Sequence, residues 1–257
     1  MREERALELS GSLGLSGTGE AATGGGPASP PAIYPVAQHV AKKISTLETP
    51  PDVMAVFPLP ERGALAGLAN AGRAPAGAPL SAGVSSSTAA ETLVVYADGI
   101  GDPGNMGTLL RAAVAFGATA LAAAPGSADL YGPKTVRAGM GAVFGLPLFP
   151  DARLADVLSA LSPAEVYGLA AHDGVPLAAA RLRRPAVLVV GAERPGLSRE
   201  TLAAVTQLVT IPLAPGQHDG VESLNAGVAG AIALYEFSRR SGASDDPPGP
   251  RPAPQEG

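Results

Sequence analysis

The sequence predicts an α/β fold, a mostly parallel sheet with helices on both faces, and three observations predict it. Between about residues 91 and 240, short apolar runs alternate with segments of helical periodicity, the order that βαβ units impose on a chain. One run, Ala186-Val-Leu-Val-Val190, is apolar at every position, as a parallel strand covered on both faces must be. A glycine-rich turn, Asp98-Gly-Ile-Gly-Asp-Pro-Gly104, joins the first apolar run to the first helical pattern. Strand, turn and helix in that order are how α/β proteins hold phosphate-bearing or nucleoside-bearing ligands.

Taken in order, strands are expected over 92–97, 118–123, 146–149, 165–170, 186–190 and 207–211. Helices are expected over 105–116, 133–141, 152–161, 199–205 and 224–239. Residues 1–32 and 241–257 are rich in Gly, Ser, Ala and Pro and lack the apolar surface to fold alone, so disorder is expected in both. Residues 61–90 read as a linker with one short helix near Ala64–Ala69. Residues 33–60 hold a helix-like stretch, Val36–Ile44, and an extended piece, Val53–Phe57, between prolines.

The 257 residues suffice for one sizeable core. There is no cysteine, which excludes disulfides and thiolate chemistry. His39, His172 and His218 are widely scattered, so no metal is expected. No apolar run reaches membrane-spanning length and the N-terminus lacks a signal-peptide core, so no membrane partner and a cytoplasmic location are expected. A net charge of −5 argues against indiscriminate nucleic-acid binding but leaves room for a local basic patch.

Gly99-x-Gly101-x-x-Gly104 matches a dinucleotide-binding pattern in letters. Two features oppose that reading. The second strand ends without the acidic residue that would hold a ribose, and Asp102 stands where a pyrophosphate would lie. Asp102-Pro103 reads better as a helix cap followed by proline in the first turn. On the helix that follows, Met106, Leu109, Leu110, Ala113 and Val114 share one face. Arg111 lies off that stripe and can point toward a cleft. Taken alone, Asn105 passes for a cap residue and Arg111 for a solvated surface charge.

After the all-apolar strand comes Gly191-Ala-Glu193-Arg-Pro-Gly196-Leu-Ser198. A glycine ending a central parallel strand allows close approach of a ligand at the carboxyl edge of the sheet. Glu193 is then either a carboxylate in the cleft or an exposed turn residue, and Ser198 caps the next helix. After the last strand, a polar loop leads to Ser223-Leu224-Asn225, where Ser223 reads as a cap and Asn225 has no strong structural reason to be present.

Together these strand-end segments resemble the three motifs of the SpoU/TrmH family of RNA ribose 2′-O-methyltransferases, within the SPOUT superfamily. The first is DPGNMGTLLRAAVAFGA, with Asn105 and Arg111; the second LVVGAERPGLS, with Gly191 and Glu193; the third IPLAPGQHDGVESLNAGVAGAIALYE, with Ser223 and Asn225. The segment PKTVRAGMGAVFGLP is also similar to that family, and TLETPPDVMAVFPLP more weakly so. The resemblance implies a domain over 91–240 with a C-terminal trefoil knot, and makes 33–60 the remnant of an N-terminal substrate-binding domain. It implies S-adenosylmethionine as cofactor, held by Gly191, Ile211, Leu213 and Leu224. A homodimer is implied, with an active site that draws on both subunits. Arg111 would help a ribose 2′-OH lose its proton, and Asn105, Glu193, Ser223 and Asn225 would hold arginine, ribose and loops in register. The substrate would be RNA, ribosomal rather than transfer RNA by the look of 46–60 and 133–147. Among the basic groups, Lys134 and Arg137 are the best candidates for RNA contacts because they stand nearest the first motif. Two other functions compete: a non-catalytic RNA-binding or assembly factor on the same fold, and an NAD-dependent oxidoreductase built on the glycine pattern.

Overall fold

The structure, a computed structural model, describes residues 34–45, 47–56, 59, 65, 68, 91–214 and 223–240. The expected disorder of 1–32 and 241–257, His218, most of the 61–90 linker and most of the 213–222 loop lie outside these residues. The chain divides into two units, Met1–Pro58 and Leu59–Gly257. In the first, α1 (Gln38–Ile44) starts after an extended Ala37 that offers no side-chain cap. Residues 53–56, expected to be extended, form no described strand.

In the second unit the described strands are β1 (Leu93–Asp98), β2 (Ala120–Ala123), β3 (Leu148–Phe149), β4 (Glu165–Ala170), β5 (Val175–Pro176), β6 (Ala186–Gly191) and β7 (Gln207–Thr210). The helices are α2 (Pro103–Ala115), α3 (Pro133–Gly139), α4 (Leu154–Leu161), α5 (Arg199–Ala204) and α6 (Ala226–Arg240). The strands form one sheet in the order β3-β2-β1-β6-β4-β7-β5, parallel at every pairing. The two-residue edge strand β5 was not expected from the sequence. It carries a proline, and periodicity has nothing to detect in so short a run.

The period-2 alternation of strand side chains divides the interior in two. Leu93, Val95 and Ala97 of β1, with Leu188 and Val190 of β6, pack with Met106, Leu109, Ala233 and Leu234 of α2 and α6. Val94 and Tyr96, with Val187 and Val189, pack with Leu154, Val157 and Leu161 of α4 on the other face. Leu68 belongs to that second cluster and is fully buried. The stretch read as a linker therefore contributes a core side chain.

The α2–α3 layer depends on the absence of a side chain at Gly107. A Cβ there would stand 2.5 Å from the Ala138 Cβ and 2.7 Å from the Thr135 carbonyl oxygen, closer than any real Cβ contact. Register matters most at the carboxyl edge, where Asp98 of β1 pairs with Gly191 of β6. That pairing sets the first two motifs side by side although they are far apart in sequence. The trefoil knot expected from the sequence falls partly on 215–222, which lie outside the described residues.

Candidate active site

The first motif is built locally. Asp102, in extended backbone, caps α2: its Oδ1 accepts a hydrogen bond from the Asn105 N–H at 2.8 Å, and Pro103 opens the helix. The carboxylate thus occupies the place that a dinucleotide's pyrophosphate would need, as the sequence suggested. With its backbone N–H satisfied, Asn105 is held in the first turn of α2 with its side-chain amide available.

The second motif is held by distant ties. Gly191 ends β6 and lets residues 196–197 fold back on it, since a Cβ there would meet the Gly196 carbonyl group at 2.5 Å. The chain's own backbone thus also requires a glycine at this position. Ala192 and Gly196 form an antiparallel bridge, with Gly196 at φ +67°. The Leu197 side chain lies over Gly168 of β4, where a Cβ would stand 2.8 Å from Leu197 Cδ1. Asp98 Oδ2 accepts from the Ser198 N–H at 2.7 Å, and Ser198 caps α5 through the Thr201 N–H, as expected.

The motifs meet through side chains. Asn105 Nδ2 donates to Glu193 Oε1, and Asn225 Nδ2 donates to Asn105 Oδ1 at 2.7 Å. Asn225 Oδ1 in turn accepts from the Val228 N–H at 3.2 Å. Asn225 is therefore the cap of α6, which starts at Ala226, and Ser223 is not; a helix expected from 224 puts that role two residues too early. Its position has a structural reason after all, and the free end of the same amide reaches the first motif.

Beside this chain of amides lies a cavity of about 250 Å³. Its walls come from the ends of β4 (Leu169–Ala171), β6 (Val190–Glu193) and β7 (Ile211, Leu213), closed by Ser223 and Leu224. Gly191, Glu193, Ile211, Leu213, Ser223 and Leu224, all singled out in the sequence, thus line one space. Parallel α/β sheets bind ligands at this edge. The lining is mainly apolar, with the Glu193 carboxylate and the Ser223 hydroxyl group as its polar members. On the α4 face of the sheet, Tyr96 donates to the Ala152 carbonyl oxygen at 3.1 Å. Burial, reinforced by the Asp98 and Glu200 carboxylates, pushes its phenol up to about 12, so it stays a neutral donor. Among the described residues, no group of three His, Cys, Asp or Glu is placed to hold a metal ion.

Residues 92–235, more than half of the chain, match the model of the SpoU rRNA methylase family. The chain belongs to the SpoU family. A 23S rRNA (guanosine-2′-O-)-methyltransferase of Nitrosomonas europaea is 34% identical over 167 residues, 63% of this chain and 63% of that protein. The SpoU methyltransferase AviRb from Streptomyces viridochromogenes, solved with its cofactor AdoMet, is 32% identical with a TM-score of 0.54, covering 59% of this chain and 61% of that one. A TrmH-family RNA methyltransferase structure from Porphyromonas gingivalis is 37% identical with a TM-score of 0.61, covering 77% and 70%. This SpoU chain spans between 40% and 63% of the length of three curated relatives that it matches.

Not every SpoU motif residue comes to the cavity. Arg111 is exposed on α2 with Thr108 and Ala115, on the outer side of the helix layer. Lys134 and Arg137 are exposed on α3, which packs against α2 and not against the cavity wall. Two residues that serve the site were missed. Asp98 was read as part of the turn, yet it ends β1 and is 8% exposed; a carboxylate closing an otherwise apolar strand was the available signal. Leu197 left no signal, because its seat on Gly168 depends on β4 being next to β6.

Proposed function

We propose that the chain is an S-adenosylmethionine-dependent RNA methyltransferase that transfers a methyl group to a ribose 2′-OH, with ribosomal RNA as substrate. The observation that carries this reading is the Glu193–Asn105–Asn225 network beside the cavity. It joins three SpoU motifs into one polar rim around an apolar space. The lining suits an adenosyl group: Leu169, Val190, Ile211 and Leu224 offer apolar surface, and Ile211–Leu213 follow the last register pair of β7, so their peptide groups are free of the ladder. When bound, the cofactor supplies an activated methyl group on a sulfonium whose leaving group is built in.

This chain's residues then have three tasks. Leu224 and the ends of β6 and β7 position the adenosyl part. Glu193 puts negative charge near a cationic sulfonium, and the Asn105 amide fixes that carboxylate. Arg111 sets positive charge beside the 2′-oxygen and so favours loss of its proton.

Within one chain Arg111 faces outward, and the same surface carries the exposed apolar residues Val228, Ile232 and Tyr235 of α6. A homodimer through α2 and α6 covers that apolar stripe and brings Arg111 to the partner's cavity. The trefoil knot through 211–225, a cytoplasmic location and a substrate-binding remnant at 33–60 belong to the same proposal.

Arg111→Ala should bind AdoMet by calorimetry within about twofold of the parent and lose methyl transfer to unmodified rRNA by about 100-fold or more. Mixing Arg111→Ala with Glu193→Ala subunits should restore part of the activity. Full transfer by the first variant removes Arg111 from the mechanism, and no restoration removes the shared site. A parent protein that binds no AdoMet at millimolar concentration would be a non-catalytic RNA-binding factor.

A further inference from the structure

We propose that Arg194 and Arg199 form a phosphate-contacting patch for single-stranded RNA, on the far side of the Asn105–Glu193 pair from α3. The proposal rests on the RNA methyltransferase reading and adds a contact surface that the motif residues do not include.

Three observations support it. The run 190–197 contributes every residue except Arg194 to the cavity wall. Arg194 stands at the tip of a turn bridged by Ala192 and Gly196 and is exposed, so its charge lies at the mouth and not in the apolar space. Arg199 opens α5 and is exposed as well, while Leu202, one turn further, lines the same cavity.

Charge commitments at this edge are the second observation. The carboxylates beside the site are engaged with amides: Asp98 with the Ser198 N–H, Asp102 with the Asn105 N–H, and Glu193 with the Asn105 side chain. Among the described residues, Arg194 and Arg199 have no hydrogen bond or ion pair. Asp98 is buried, Asp102 and Glu193 are exposed but held by Asn105, and Arg194 and Arg199 are the exposed positive charges of this segment in a chain of net charge −5. Glu200, which also acts on the Tyr96 phenol, offsets part of that positive field.

The third observation is placement. α3 connects β2 to β3 and α5 connects β6 to β7, so Lys134 and the two arginines lie on opposite sides of the β1–β6 junction in the sheet order. A strand whose 2′-OH is presented between them has phosphates on both sides of the reacting ribose. Guanidinium groups free of protein partners suit such contacts, because their planar donors match phosphate oxygens.

The test is titration of the full chain with a fluorescein-labelled oligouridylate of about 20 nucleotides across a series of salt concentrations. The double variant Arg194→Ala/Arg199→Ala should bind about tenfold more weakly. Its log–log salt slope should be about 1.4 smaller, since each single-strand phosphate contact contributes roughly 0.7. Arg194→Lys/Arg199→Lys should recover most of the affinity. Arg181→Ala/Arg183→Ala, which removes the same charge before β6 at the opposite edge of the sheet, should bind like the parent. AdoMet affinity, read separately by calorimetry, should be unchanged in every variant.

Parent-like affinity and slope in the first variant would overturn the patch. So would equal weakening by the Arg181/Arg183 variant, or no RNA binding by the parent at the lowest salt. Failure of the methyltransferase reading shows elsewhere, as a parent that binds RNA through these arginines but neither binds AdoMet nor transfers a methyl group.

Discussion

The two faces of the sheet are closed in different ways. On one, α2, α3 and α6 pack tightly, with α2 meeting α3 across Gly107 and α6 across Gly227. The outer surface of this layer exposes Met140, Phe144, Val228, Ile232 and Tyr235. On the other face, α4 and the short α5 leave room that Leu68 fills from a stretch outside the motif region. The helix layer carries Asn105, Arg111 and Asn225, so its close packing sets the geometry of the site and its apolar exterior suits a second copy. The opposite face closes the core and touches the site through Leu197 and through Leu202 of α5.

The largest effect should come from the second face. Leu68→Ala removes a fully buried side chain and should destabilise the protein by about 2–5 kcal/mol, read by denaturant unfolding, while the folded fraction keeps its AdoMet affinity. A loss below about 1 kcal/mol would mean that α4 and α5 close this face unaided.

Gly107→Ala tests the first face. Its new Cβ meets Ala138 and the α3 backbone, so it should cost about 1–3 kcal/mol despite the better helix propensity of alanine. By shifting α3 it should also raise the KM for RNA more than it lowers kcat. A neutral or stabilising result would show that the α2–α3 contact yields easily and does not set the site.

Asp102→Ala should be the mildest, about 1 kcal/mol from the lost cap. It should lower methyl transfer more than stability, because the freed first turn of α2 no longer holds Asn105 against Glu193. Equal effects on both would reduce Asp102 to a structural cap.

Much of this architecture was legible in the sequence. The all-apolar 186–190 run marked the central strand, Asp102-Pro103 marked the start of α2, and Ser198 marked the start of α5. Asn105, Glu193 and Asn225 were legible only through their resemblance to family motifs. Their contacts span 88 and 120 residues; alone, Asn105 fits a cap and Glu193 a turn, and Asn225 has no strong local reason. Leu68 was hidden in a stretch of small residues, and Asp98 behind the glycines that follow it.

By itself the sequence determined what is local: strand alternation, helix periodicity and the caps. These depend on residues within about four positions of one another, so they survive in any arrangement of the whole. Only the tertiary structure decided that Asp98 would face Ser198, that one asparagine would bridge two others' motifs, and that Arg111 would face away from its own cavity. Those facts follow from the register of β1 on β6 and the return of α6 beside α2. Strand order is set by the summed burial of both sheet faces, a property that no short segment carries.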